Sequence, residues 1–273
     1  MRELVVYHAA CRDGFAAAWA FHWMNPRAEF VEGFYGQAPP DVEGRQVYLL
    51  DFTYPRAVLK ELADRALTLT ILDHHKTAQA DLQGFEAEHQ NADVVFDMNR
   101  SGAGITWDEV NATLFPRPWV IDYVEDRDLW RWKLRNSRKV NAYLGTIPFT
   151  FEAWDALLEM PVEDAVDAGE AVQAKIDQYV SEVNKNARRI AFEGFAGVPI
   201  VNAPQADISE LLDSLMEQTG ESFAVGWWQR GDGLYQYSLR SRGDLDVSEI
   251  ARRHGGGGHR NAAGFQVKEL CHA

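Results

Sequence analysis

Leu69-Thr70-Ile71-Leu72-Asp73-His74-His75-Lys76 sets three ionisable side chains in a row directly after an apolar run. The run from Leu67 to Leu72, rich in Leu, Ile and Thr and too short for an independent helix, reads as a buried parallel strand. Asp73, His74 and His75 then leave its C-terminal end, and in open α/β sheets that edge is where ligands bind. A capping Asp with two histidines on a surface turn would produce the same letters. The neighbouring strands decide between the two.

Upstream, Leu4 to Tyr7 reads as a strand ending in His8, and the loop from Ala9 to Gly14 leads into an Ala-rich helix from Phe15 to Trp23. Phe30 to Tyr35 is a second strand. Val47 to Leu50 is a stronger one that closes on Asp51, and Tyr54-Pro55 starts a helix running to about Asp64, with proline near its first turn. Three strands therefore end in His8, Asp51 and Asp73. Downstream, Ala92 to Phe96 is a further strand, and the small residues between Asp97 and Gly104 precede a helix from Ile105 to about Asn111. Such residues can let backbone amides meet a phosphate, with an ordinary Ser cap as the alternative. A helix over Trp119 to Val124 delivers Glu125-Asp126-Arg127-Asp128 between tryptophans.

From Phe151 to about Ile190 the pattern is helical and reads as a connector. A second domain follows: strand 198–201, helix 208–218, strands 223–228 and 234–240, and helix 247–254. It closes with Gly255-Gly256-Gly257-Gly258-His259-Arg260-Asn261-Ala262-Ala263-Gly264-Phe265. The expected architecture is α/β: a parallel-sheet domain over residues 1–150 with helices on both faces, a helical connector over 151–190, and a smaller α/β domain over 191–273. Trp227, Trp228, Tyr235 and Tyr237 could stack on bases, but alternating aromatics in strands are read as core.

The 273 residues suffice for two domains. With 27 Lys and Arg against 41 Asp and Glu, the net charge of −14 argues against holding long duplex DNA on a basic surface. A small anionic substrate stays compatible, because bound divalent metals reverse the local sign. Cys11 and Cys271 are too few for a disulfide framework and lack zinc-type spacing. Leu4 to Tyr7 is too short for a signal core, and no apolar run is long enough to cross a bilayer, so a cytoplasmic location is expected.

Strand ends of one parallel sheet lie close together, so His8, Asp13, Asp51, Asp73, His74 and an acid from 126–128 can share one pocket. Carboxylates packed that closely repel unless something positive lies between them. A pair of divalent metals answers this. Mixed Asp and His ligands without thiolate clusters suit Mn²⁺ first, with Mg²⁺, Co²⁺ and Fe²⁺ as alternatives and zinc still compatible. Two ions about 3.5–4 Å apart would stabilise attacking and leaving oxygens in phosphoryl hydrolysis.

Asp73-His74-His75 on a strand end, acids on neighbouring strands, and a Gly-rich His-Arg-Asn-Ala-Ala-Gly block about 180 residues later resemble the DHH phosphoesterase superfamily, in the branch with a C-terminal DHHA1 domain. The resemblance covers nearly the whole chain. It implies that Asp51 bridges two metals, that Asp13, His74 and Asp126 complete one ion, and that His8 belongs to the other. Asp128 is the alternative to Asp126. His75 is expected behind the metal ligands or on the substrate phosphate, and Asp73 orients a neighbouring histidine. In the second domain, Arg240 and Ser241 at a strand end, with Gly256, Gly257, Gly258 and His259, are expected to hold the substrate's phosphate, Arg240 supplying a planar fork. One departure stands out: many relatives carry His-x-x-x-Asp-x-Asp in the first motif, whereas His8-Ala9-Ala10-Cys11-Arg12-Asp13 is one residue shorter and places Cys11 near the missing acid. Cys11 can ligate, simply pack, or leave a weaker first site; the last two are favoured together.

The resemblance implies a metal-dependent phosphodiesterase that cuts short single-stranded oligonucleotides or dinucleotides, cyclic or linear, to 5′-mononucleotides by metal-activated water, with Asp73, His75, Arg240 and His259 as the catalytic side chains. A 3′-phosphatase acting on nucleotide bisphosphates and a non-catalytic nucleotide binder fit the same residues. No membrane partner is expected, and a homodimer is compatible.

Overall fold

The computed structural model describes residues 3–111 and 115–272; the outermost limits of the expected domains, 1 and 273, fall outside them. The chain divides into two compact units, Met1–Gln173 and Ala174–Ala273. In the first, elements run β1 (Leu4–His8), α1 (Arg12–Met24), β2 (Glu29–Gly33), β3 (Gln46–Leu50), α2 (Arg56–Arg65), β4 (Thr68–Asp73), α3 (Lys76–Asp81), α4 (Phe85–Glu88), β5 (Ala92–Phe96), α5 (Gly102–Val110), α6 (Trp119–Asp128), α7 (Ser137–Leu144), α8 (Phe151–Asp155) and α9 (Val162–Asn184). The sheet order is β2-β1-β3-β4-β5, and all four pairings are parallel.

Period-two alternation sends successive strand residues to opposite faces. Leu4, Val6, Val47, Leu49, Leu69 and Ile71 enter one core with Leu59, Leu62 and Phe85. Val5, Leu50 and Leu72 enter the other, against Trp19, Trp107, Val124 and Trp154. Each face is thus covered by helices, which explains why these strands read as nearly continuous apolar runs. Trp19 ties the second core together: it packs 6.3 Å from Trp107 and 5.9 Å from Trp154 between ring centroids, and its Nε1 donates to Asp155 Oδ1 at 2.9 Å. Replacing so buried a ring by alanine costs about 3–5 kcal/mol.

The second unit is a six-stranded sheet, β6 (Arg188–Phe192), β7 (Phe195–Asn202), β8 (Phe223–Gln229), β9 (Tyr235–Ser241), β10 (Gly257–His259) and β11 (Ala262–Val267), with helices α10 (Ile208–Thr219) and α11 (Val247–Arg253). Its order is β10-β11-β9-β8-β7-β6, with β7 and β8 parallel and the other pairs antiparallel. The fold class is α/β, as the strand pattern indicates. Tyr237 is fully buried and Trp227 packs on the same core, the structural role alternation suggested.

Three details differ from the sequence reading. The connector helix stops at Asn184, and 188–192 is a strand; its Arg-Arg-Ile-Ala-Phe pattern is hidden by abutting a long amphipathic helix. The division between the units falls inside α9. Helix α5 starts at Gly102 rather than Ile105, capped by Ser101, whose Oγ accepts from Gly104 N at 3.1 Å. In the closing glycine run, Gly257, Gly258 and His259 pair with Gly264, Ala263 and Ala262 in a hairpin. No helix among the described residues is long and apolar enough to cross a membrane.

Candidate metal centre

Adjacent parallel strands β1, β3 and β4 deliver His8, Asp51 and Asp73-His74-His75 to one edge. Asp51 lies just past β3 with φ of 52°, a left-handed conformation that costs a non-glycine residue energy and is tolerated where surroundings over-determine it. Its N–H still donates to Leu72 O at 2.9 Å, which ties the strand end to β4. The carboxylate is buried and central. His74 Nε2 is 3.2 Å from Asp51 Oδ1, and His8 Nδ1 is 3.5 Å from Asp51 Oδ2. His74 Nε2 is also 3.6 Å from Asp13 Oδ2 and 3.4 Å from Asp128 Oδ2.

Two triplets of donor atoms close enough to hold an ion share Asp51: Asp13, Asp51 and His74, and His8, Asp51 and His75. Asp13 is set from below, its Oδ2 accepting from Gly102 N at 2.6 Å and its Oδ1 from Ala103 N at 3.0 Å. The anion met by the first amides of α5 is therefore a protein carboxylate, at the favourable end of the helix dipole, and Ser101 is an ordinary cap. Gly102 is needed for this approach, since a Cβ there would sit 2.4 Å from Asp51 Cβ.

Asp73 is fully buried. Its Oδ1 accepts from His74 N at 2.7 Å and His75 N at 3.2 Å, and lies 2.7 Å from His75 Nδ1. A carboxylate can only accept, so His75 Nδ1 carries a proton and donates it to Asp73. The two acids left open on α6 separate clearly. Asp126 caps the following loop, accepting from Lys133 N at 2.9 Å and Leu134 N at 3.3 Å, whereas Asp128 faces His74. The structure thus brings Asp128, not Asp126, into the cluster. Asp126 and Asp128 are two residues apart on a helix and point about 200° apart, so which one turns inward depends on packing that the local sequence does not encode.

The electrostatics call for positive charge. Burial would lower the His74 pKa, yet Asp51, Asp128 and Asp13 around it win and push it up to about 11. Burial, then Asp51 and Asp128, raises the Asp13 carboxyl well above the usual range. Burial opposes charge on Asp51 too, but the histidines beside it hold its carboxyl well below that range. The imidazolium of His74 supplies positive charge among these carboxylates. Asp51 Oδ1 and Asp128 Oδ2 are buried and, among the described residues, have no polar contact of good hydrogen-bond geometry, lying beside His74 Nε2 at 3.2 and 3.4 Å. Oxygen and imidazole donors of this kind fit a hard or borderline divalent ion, so the residues present fit the expected metals. Cys11 Sγ lies 3.7 Å from Asp51 Oδ2, and burial followed by the nearby acids raises its thiol pKa well above ordinary. It packs as a neutral thiol against Asp51.

In the second unit, Arg240 is held by Ser209 Oγ, 2.7 Å from Nη2 and 3.2 Å from Nε, and by Leu239 O at 2.8 Å from Nη1. Ser241 Oγ donates to Leu245 O at 2.7 Å and accepts from Asn261 Nδ2 at 2.9 Å, a tie between strand and loop. Gly256 meets the hairpin closely, because a Cβ would fall 2.1 Å from Gly264 O. Gly257, Gly258 and His259 form β10 itself. Sequence reasoning did not single out Asn261, whose amide organises this turn, and an Asn after a His-Arg pair offers no signal of its own.

Residues 194–272 match the DHHA1 domain family. This part of the second unit is a DHHA1 domain. A curated relative, an uncharacterized protein of Acanthamoeba polyphaga mimivirus, is 29% identical over 96% of this chain and 67% of its own length. Among solved structures, the chain is similar to the pGpG-specific phosphodiesterase of Vibrio cholerae, at 14% identity and a TM-score of 0.55 over 98% of this chain and 93% of that one. It is also similar to an exopolyphosphatase-related protein of Bacteroides fragilis, at 12% identity and a TM-score of 0.58 over 98% and 87%, and to a further structure described as a DHH domain, at 13% identity and a TM-score of 0.59 over 96% and 82%. At such identities the likeness is one of fold. Residues 194–272 match the DHHA1 domain, the chain shares the fold of these structures, and its buried Asp and His cluster is compatible with a metal site.

Proposed function

We propose that this protein is a divalent-metal-dependent DHH/DHHA1 phosphodiesterase that cuts short oligonucleotides or dinucleotides to 5′-mononucleotides. The observation that carries the reading is Asp51, one buried carboxylate shared by two triplets of donors at the ligand-binding edge of a parallel sheet. Asp13, Asp51, His74 and Asp128 would hold one ion, and His8, Asp51 and His75 the other, with Mn²⁺ the expected metal. Bound there, the ions would supply Lewis-acid activation of the phosphoryl group and of the attacking water. The chain's own work is positional. Asp73 accepts from His75 Nδ1 and fixes the ring, so that Nε2 is presented in one orientation, to an ion through its lone pair or to a phosphate oxygen as Nε2–H. The helix amides behind Asp13 hold that carboxyl in place at the site's floor. In the DHHA1 domain, the anchored fork of Arg240 and the neighbouring His259 serve as phosphate contacts. A dinucleotide phosphodiesterase among proteins of similar fold supports this class of substrate.

The test is turnover of labelled di- to pentanucleotides, cyclic dinucleotides and nucleotide bisphosphates by the purified chain with Mn²⁺, beside Asp51→Ala. Release of mononucleotides from dinucleotides by wild type alone is expected. No turnover of any substrate, or full activity in Asp51→Ala, sinks the reading.

A further inference from the structure

Next to the cluster, the first unit carries a cavity of about 420 Å³ lined by Arg12, Arg127, Gly145, Ile147, Pro148 and Phe149. Small-molecule sites run from about 300 to 1,000 Å³. Arg12 precedes Asp13 and Arg127 precedes Asp128, so the two segments that bring carboxylates to the metal centre bring guanidiniums to the cavity beside it. Arg12 is fixed in place. Its Nη1 donates to Asn141 O at 3.0 Å and to Asn141 Oδ1 at 3.1 Å, and buried Asn141 is itself held through Tyr123 O at 2.9 Å and Ser137 O at 3.1 Å. Any Cβ on Gly145 would lie 2.9 Å from Arg12 Nη2, so the bare backbone there leaves the fork its space. Phe149 stacks on Phe15 with centroids 5.1 Å apart and planes 11° apart, and 40% of it stays exposed.

Two guanidiniums, one pre-set by a buried amide, beside an exposed aromatic ring form an unusual spot in a chain of net charge −14. A preorganised fork recognises phosphate with little ordering cost, and an aromatic face takes any base. We infer that this cavity is a subsite for the terminal, non-scissile phosphate of a nucleotide substrate and for the base next to it, with Arg12 and Arg127 on the phosphate and Phe149 on the base. The inference rests on the nucleotide reading above and narrows it: substrates that carry a phosphate beyond the scissile one are preferred.

Equilibrium binding of pApA and ApA to the full chain in EDTA tests this without turnover. Wild type should bind pApA about tenfold or more tighter than ApA, the change that one charge-assisted contact makes. Arg127→Gln should bring that ratio towards one, Arg127→Lys should recover part of it, and Phe149→Ala should weaken both ligands together. Thermal melting of each variant controls for folding, and the ratio is read only on folded protein. A wild-type ratio near one, no measurable binding of pApA, or a ratio untouched by Arg127→Gln overturns the inference. Hydrolysis with Mn²⁺ is scored separately: discrimination in binding without any turnover removes the phosphodiesterase reading and leaves the subsite standing, whereas turnover with a ratio of one does the reverse.

Discussion

The carboxylate of Asp13 accepts the backbone N–H of Gly102 at 2.6 Å, across 89 residues of sequence. With the Ala103 N–H at 3.0 Å, this makes one side chain both a donor atom of the metal cluster and the acceptor for two otherwise orphaned amides of α5. Asp13→Ala therefore leaves two buried donors unpaired and should destabilise the first unit by about 3 kcal/mol. Asp13→Asn keeps an acceptor oxygen and should cost less, while still removing the charge that an ion needs. Urea unfolding of both variants checks the order, and an alanine variant as stable as the asparagine one contradicts it.

Gly102 stands against Asp51 so closely that an added methyl would meet the Asp51 Cβ at 2.4 Å. Neither the strand end nor the helix can yield cheaply, since both Asp51 and the α5 N-terminus are buried. Gly102→Ala should cost about 1–3 kcal/mol as overpacking. It should also move the shared carboxylate, so Mn²⁺ affinity falls more than melting temperature does. Titration of Mn²⁺ alongside thermal unfolding separates the two effects; unchanged affinity in a destabilised protein would show that Asp51 does not shift.

Asp126 and Asp128 divide structure from chemistry at the end of α6. Asp126→Asn weakens the two loop contacts to Lys133 and Leu134 and should lower stability by about 1–2 kcal/mol while folded protein keeps its metal. Asp128→Asn should spare stability and lose Mn²⁺ binding and turnover together. The reverse pattern would return Asp126 to the cluster.

Much of the fold lay open in the strands. Parallel strands buried on both faces have no polar alternation, so Val47 to Leu50 and Leu69 to Leu72 are legible as short apolar runs that end on acids. The convergence of His8, Asp51 and His74 follows from adjacency in such a sheet. Choices that depend on a helix's rotation or on long-range docking did not show. Asp128 over Asp126 is fixed by how α6 packs beside α5 and α7, and the pairing of Asp13 with α5 spans most of the unit. Strand β6 was hidden because Arg188 to Phe192 follows closely on a long helix, and its partner, β7, comes only with the next turn. The glycine run was read for what its amides could bind, while its third to fifth residues serve as one side of a hairpin.

In the DHHA1 domain, the Tyr237 hydroxyl lies 2.6 Å from His272 Nδ1 and accepts from Cys271 N at 3.0 Å. The hydroxyl keeps its proton and a further lone pair for this contact, so it pairs with either neutral tautomer of the ring. Burial, and then the charge of Arg188, lowers the His272 pKa below its usual 6.5. A histidine held neutral in the folded state leaves the unfolded chain to take up the proton first as pH falls through about 6.5. The sign is therefore a loss of stability on acidification, absent above neutrality and continuing until the folded pKa is also passed. His272→Gln cannot titrate, so its melting temperature should drop less than that of wild type between pH 7.5 and pH 5.5, even though the variant is less stable at pH 7.5. Groups elsewhere titrate equally in both proteins, which makes the difference between the two slopes the quantity to measure. Equal slopes would mean that His272 is protonated or released in the folded domain, and its burial would then not govern the acid response.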